Sequence, residues 1–282
     1  MKINVMTDLE GVSGVNGASD NIGNKIVNLP IALAMLVGEV NALAQGLVKG
    51  GASEVVVADG HGGGNNLDIG QLHPAVTLVN IMGILAPIGH GMDSSCAAAI
   101  QIGAHAMAGV ADGYLNHSYN SHGIVAMALN GEPIGEIGIG ILKAAYFGVP
   151  TILIAGDEAA CREARAFVGG RPLTTVVTKT GLARYSAVNR HPTAVRAELS
   201  AAAEQALRDL PRYQAMPMLG QFSLDVRYMD CNMADTREKI GAERVDAQTV
   251  RHRGCDFLDV YSQFLGWAPG VYQRRFPTTA KQ

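Results

Sequence analysis

Cysteine is scarce in this chain. The four present among 282 residues, Cys96, Cys161, Cys231 and Cys255, are too scattered for a CxxC or any other close metal-ligand spacing. That argues against a disulfide framework or a thiolate metal site and suits reduced thiols packed as small hydrophobes. Concentrated positive charge is also missing. The 22 basic residues, offset by 25 acidic ones to a net charge of −3, form no basic run interleaved with aromatics, so nucleic acid is not an expected partner. No window offers the ~20 uninterrupted apolar residues of a membrane span. Leu29 to Val48 comes nearest and is broken by Glu39, Asn41 and Gln45. The opening MKINVMTDLEG reaches an acidic pair before it could supply the roughly 7–15 apolar residues of a signal core. No membrane partner is expected, and the expected location is cytoplasmic.

Several catalytic signatures are absent too. No G-x-S-x-G nucleophile elbow accompanies the HGGG of DGHGGGNN, which argues against a serine hydrolase. The same loop lacks the Gly-Lys-Ser/Thr ending of a P-loop and the spacing of a dinucleotide fingerprint, and there is no HExxH helix. A metal site in this chain has to be assembled from distant segments.

What is present is a globular composition: 48% hydrophobic, 17% charged, with 34 glycines. Lys2 to Thr7, Glu54 to Ala58, Ala97 to Ile102 and Thr151 to Ala155 read as buried strands. Helical patterns run over Ile31 to Val48 and Glu136 to Phe147, and Ile124 to Leu129 with Asn130-Gly131 reads as a hairpin. The alternation predicts an α/β fold, a mainly parallel sheet flanked by helices. After about residue 186 the texture changes to a long Ala-rich helix (Pro192 to Leu207), strand-like FSLDVRY and a helical Cys255 to Leu265. This predicts an α/β metal-binding catalytic domain over 1–186 and a smaller α+β subdomain over 187–282. Gly169-Gly170 is an alternative earlier boundary.

In open α/β sheets, ligands bind outside the carboxyl ends of the strands. Asp8 and Glu10 follow the first strand, Asp59 and His61 the second, His105 the third and Asp157 the fourth. Two carboxylates one residue apart repel unless a cation or proton lies between them. Gathered with imidazoles they are the donor set of a divalent metal such as zinc. Each has an ordinary alternative: strand-end turn residues for the acids, a core histidine for His105. Glu136 opens a helix, where it serves either the helix dipole or a metal. His117 and His122, in LNHSYNSHG, are loop surface or one of them is a proton shuttle. His73, His90, His191 and His252 read as structural or solvated.

With these residues in hand, the chain resembles the D-aminopeptidase (DppA-like) family of dizinc metallopeptidases. The matching pieces are TDLEGVSG, VVVADGHGGGNNL, GMD with GAHA ten residues on, GYLNHS, LNGEPIGEIG and VPTILIAGDE, in order and spacing. The resemblance extends through VTKTGLARYSA to VDAQTVRHRGCDFLDVYSQFL. It implies that Asp8, Glu10, His61, His105 and Glu136 hold two zinc ions per chain, with Asp8 as their bridge, and that His117 serves catalysis or stabilises the transition state. It further implies ring-shaped homo-oligomers, commonly decamers, with active sites facing an inner chamber. The chain departs from the family pattern at Ala104, where a large residue is usual, and at Gly60, where serine is common. Both departures bear on the pocket rather than the ligands.

The expected function is therefore zinc-dependent hydrolysis of amide bonds in small substrates, by attack of a metal-bridging hydroxide. The expected enzyme is an aminopeptidase acting on D-amino-acid-containing peptides or amides. A non-peptide amidohydrolase acting on a small amide or lactam would use the same residues. A non-catalytic metal-binding scaffold is the alternative from another class. Asp59, two residues before His61, is expected to orient its imidazole, with Asp157 a second candidate for such a role.

Overall fold

The computed structural model describes residues 1–19, 24–80, 91–218 and 220–275; His90 lies outside them. In chain order the first elements are β1 (Lys2–Thr7), β2 (Asn16–Ser19), β3 (Asn24–Val27), α1 (Leu29–Lys49), β4 (Glu54–Asp59), β5 (Val76–Asn80) and β6 (Cys96–Ala104). The middle of the chain forms β7 (Ile124–Leu129), β8 (Glu132–Pro133), α2 (Glu136–Tyr146), β9 (Thr151–Asp157), α3 (Glu158–Phe167), β10 (Thr174–Ala183) and β11 (Ser186–Asn189). Then come α4 (Pro192–Arg208), β12 (Phe222–Tyr228), α5 (Cys231–Glu238), β13 (Glu243–Arg244), β14 (Thr249–Gly254), α6 (Phe257–Phe264) and α7 (Val271–Arg275).

The main sheet runs β11-β10-β9-β6-β1-β4-β5, parallel at every pairing except the antiparallel β10–β11 edge. Its inner strands are near-continuous apolar runs because helices cover both faces. From β1 the chain builds outward through β4 and β5, then returns to the other side of β1 with β6. That reversal is a topological switch point, where a crevice opens beyond the strand ends. A smaller sheet, β13-β14-β12-β7-β8, is antiparallel at each of its pairings.

The two sheets cut across the boundary expected at residue 186. β7 precedes it yet pairs with β12, and α4 follows it yet packs on α1 over the main sheet. The cause is spatial: α2 lies between the two layers, contacting β6 and β9 on one side and α6 on the other. A hairpin that enters α2 is thereby delivered to the smaller sheet. β10, which was not anticipated, mixes Thr and Lys into its run because Thr178 and Lys179 are buried and bonded to the loop after β1.

α1 has the length and mean hydropathy, 1.7, of a membrane-spanning helix. In the fold its stripe of Leu36, Val40, Leu43 and Leu47 enters the core with α4 and the main sheet, each side chain contributing ~2 kcal/mol by burial. Its polar interruptions have partners. Asn41 bonds the carbonyl of Gln71 and the N–H of His73, while Glu39 accepts the N–H of Ser13 at 2.8 Å. Burial pushes Glu39 up from its ordinary 4.5 to about 7. Between those values the folded carboxyl keeps its proton while the unfolded chain has released it, so stability falls as pH rises through the window and levels off above about 7. Wild type should lose about 3 kcal/mol more than Glu39→Gln between pH 4.5 and 7.5. Chemical denaturation of both proteins at the two pH values checks this, and parallel losses would show Glu39 to be ionised in the fold.

The cysteines divide. Cys96 and Cys161 are buried as expected, whereas Cys231 and Cys255 are exposed, and all four are free. Cys231 opens α5 directly after its capping residue Asp230, where the first turn faces solvent.

Candidate metal centre

Asp8, Glu10, His61, His105, His117 and Glu136, from five separate segments, line one cavity of about 700 Å³ at the switch point. The loop after β1 is clamped against β6, with Asp8 N–H donating to Ile102 O and Gly11 N–H to Gly103 O, both at 2.8 Å. The clamp needs glycine: at Gly103 (φ +70°) a Cβ would meet the carbonyl oxygen of Asp8 at 2.0 Å. This close approach fixes the acidic pair against the strand that carries His105.

Asp8 is the hub. Its Oδ1 lies 3.1 Å from His61 Nδ1 and its Oδ2 lies 3.2 Å from His105 Nε2. Glu10 Oε2 is also 3.1 Å from His61 Nδ1. Glu136 Oε1 is 3.5 Å from His105 Nε2, 4.0 Å from His117 Nε2, and accepts the Tyr119 N–H at 2.7 Å. The His105 and His117 rings stack with centroids 4.0 Å apart. Ligand atoms of Asp8, Glu10 and His105 fall within 4.8 Å of one another, and so do those of His105, His117 and Glu136.

The electrostatics follow from burying three carboxylates together. Burial works against ionisation of Asp8, but the bonds from His105 and His61 outweigh it and hold its carboxyl well below the usual range. Burial and the charge of Asp8 push Glu10 up. Glu136 rises to about 7, chiefly through burial. Burial opposes protonation of His61, yet Asp8 and Glu10 raise it to about 11, and Asp8 and Glu136 raise His105 likewise. Without a metal the cluster thus gathers protons on the two imidazoles. Divalent cations satisfy the same carboxylates without them.

The donor set fits zinc, which takes histidine nitrogen and carboxylate oxygen. His105 Nδ1 faces the carbonyl of Ala106 at 3.0 Å. Such a bond fixes the ring and leaves Nε2 as the ligand atom. His117 is set differently. Burial and the neighbouring His105 lower it to about 3, and its Nδ1 lies 2.9 Å from Leu115 O. Both causes disfavour its charged form, and its Nε2 lies 4.0 Å from Glu136 Oε1.

The two aspartates expected to orient imidazoles have other tasks. Asp59 accepts from the backbone N–H and side-chain amide of Asn66 and from the Leu67 N–H, bracing the glycine-rich loop behind His61. With its oxygens so engaged, its contact is with the loop and not the ring. Asp157 caps α3 through Ala160 N–H and accepts the Tyr114 N–H, both at 2.7 Å, anchoring the segment that presents His117. His122 lines the mouth of the cavity and is exposed. Among the remaining histidines, His73 accepts the Ala75 N–H, His191 caps α4 and His252 is buried in the smaller sheet. Lys143 and Tyr261 also line the cavity and escaped the sequence reading. The available signal for the lysine was its place seven residues beyond Glu136 in an otherwise apolar stretch.

The sequence and the fold have counterparts among known proteins. A D-aminopeptidase of Bacillus subtilis (strain 168) is 26% identical over 269 residues, spanning 94% of this chain and 96% of the relative. The solved structure of the Zn-dependent D-aminopeptidase DppA from Bacillus subtilis, described as a self-compartmentalizing protease, matches with a TM-score of 0.85 at 26% identity, over 94% of this chain and 96% of that one. The sequence model described as D-aminopeptidase matches residues 1–265. Nearly the full length of the chain, including every residue of the cluster, lies in that match, and the protein belongs to the D-aminopeptidase family of peptidases.

Proposed function

We propose that this chain is a zinc aminopeptidase that removes N-terminal residues from short peptides containing D-amino acids, with two zinc ions held by Asp8, Glu10, His61, His105 and Glu136. The observation that carries the reading is the two-sided placement of Asp8, one carboxylate oxygen toward His61 and the other toward His105. What bound zinc supplies is Lewis acidity, polarising the amide carbonyl and bringing the pKa of water toward ~7.

The chain's own residues supply the rest. The carboxylates of Glu10 and Glu136 offer acceptors for the substrate's free amino group. His117, neutral and with its Nε2 toward the cavity, takes the proton of the attacking water at Nε2 and returns it to the leaving amine. Its stacking on His105 and the Leu115 carbonyl hold the ring at that angle. Tyr119 and Tyr261 give the cavity an apolar wall that limits the water around the scissile bond. By analogy with the self-compartmentalizing relative, the chain assembles into a ring with this cavity toward the interior.

The test pairs elemental analysis with a panel of L- and D-aminoacyl dipeptides. About two zinc ions per chain and turnover of the D series support the reading. Turnover confined to the L series overturns the stereochemical part, and hydrolysis of small amides or lactams but no peptide assigns the site to a non-peptide amidohydrolase.

A further inference from the structure

α2 carries a second functional group besides Glu136. Lys143 follows it by seven residues, two turns along the same helix face, ~10.5 Å in axial rise. A lysine on a helix ordinarily reaches water, but Lys143 is only 8% exposed and lies on the wall of the catalytic cavity. Its ammonium sits 5.2 Å from the ring centroid of Tyr261, a cation–π contact that fixes it over the cavity wall.

The surface between the two residues is kept bare. Gly140 lies between them on α2 and lines the cavity. A Cβ there would come within 2.7 Å of Gln101 Nε2, which is itself held by donating to Ile137 O. Glu136, Gly140 and Lys143 thus all line the one cavity.

We propose that Lys143 binds the free C-terminal carboxylate of the substrate, so that the enzyme acts on di- and tripeptide acids in preference to their amides. This rests on the aminopeptidase reading above. The length follows from geometry. Lysine side chains on a helix tilt toward its N-terminus, here toward Glu136. An extended peptide covers ~3.5 Å per residue, so one or two residues beyond the scissile bond fill the interval that the lysine leaves. Burial lowers Lys143 to about 7, and an arriving carboxylate restores its full charge. An uncharged amide offers the lysine no opposite charge, so its binding lacks this attraction.

The experiment compares a D-alanine dipeptide with its C-terminal amide on the zinc-loaded wild type and Lys143→Met, which keeps the length and apolar stem but loses the charge. Wild type should favour the acid by ~10–100-fold in kcat/KM, and the variant should lose that preference. Equal turnover of acid and amide by wild type overturns the proposal, as does a preference that survives in the variant. A non-hydrolysable methylene-amino isostere, titrated calorimetrically as acid and as amide, reads binding alone. Tighter acid binding that disappears in the variant supports Lys143 even if no peptide is cleaved, in which case it is the aminopeptidase reading that falls.

Discussion

Asp8→Ala should emerge from purification with little or no zinc and with activity lowered by about 10⁴-fold or more, equivalent to at least ~5 kcal/mol of transition-state stabilisation. The size of the effect follows from position. Among the described residues, Asp8 is the one carboxylate whose two oxygens face different imidazoles, His61 at 3.1 Å and His105 at 3.2 Å. Removing Glu10 takes a ligand from one side of the cluster, whereas removing Asp8 takes one from both. Without a metal, Asp8 also holds the protons that accumulate on the two rings, so its loss unbalances the metal-free state as well. The polypeptide should survive, since the backbone clamp that places residue 8 runs through its N–H to Ile102 O and not through its side chain. Elemental analysis and circular dichroism on the same preparation separate these effects. A folded variant that retains two zinc ions would remove Asp8 from the metal site and with it the dinuclear reading.

Much of this site was legible before the fold was known, for a reason visible in β1, β4 and β6. Buried parallel strands are short apolar runs whose ends are marked by the first polar residue, and the polar residue that follows such an end faces the crevice. Asp8, His61 and His105 are all found in this way, and Glu136 was exposed to view by the turn at Asn130-Gly131 and the helix after it. What stayed hidden depended on chain reversal in space. The destination of β7 is decided by the layer on the far side of α2, and no local pattern records that. Asp59 stands two residues before His61 and yet serves the loop, because the Asn66 and Leu67 donors fold back onto it. Lys143 went unnoticed, since a sequence shows the spacing to Glu136 but not the Tyr261 ring that comes from α6, more than a hundred residues later.

His117→Ala should keep its zinc and its fold while kcat falls by about 10²–10⁴-fold, the range for losing a positioned proton-transfer group. The structure allows two roles for this imidazole, and the variant distinguishes them. Its Nε2 belongs to a group with His105 and Glu136 whose ligand atoms lie within 4.8 Å of one another, which is the geometry of a metal ligand. It is also 4.0 Å from Glu136, the longest of the carboxylate–imidazole ion pairs in the cluster, and its ring stacks on His105. A ligand lost would appear as a fall in metal content, with activity partly recovered at high added zinc. A proton carrier lost leaves the metal content intact, and added zinc restores nothing. The pH profile supplies an independent reading. If His117 is the base, the lower limb of kcat against pH belongs to it, because the proton it must accept is already present once the pH falls below its own pKa, about 3 in the metal-free protein. His117→Ala should then lose that limb and respond to added imidazole, which can enter the space the ring vacates. Full zinc occupancy with unchanged kcat would show that proton transfer is carried by another group.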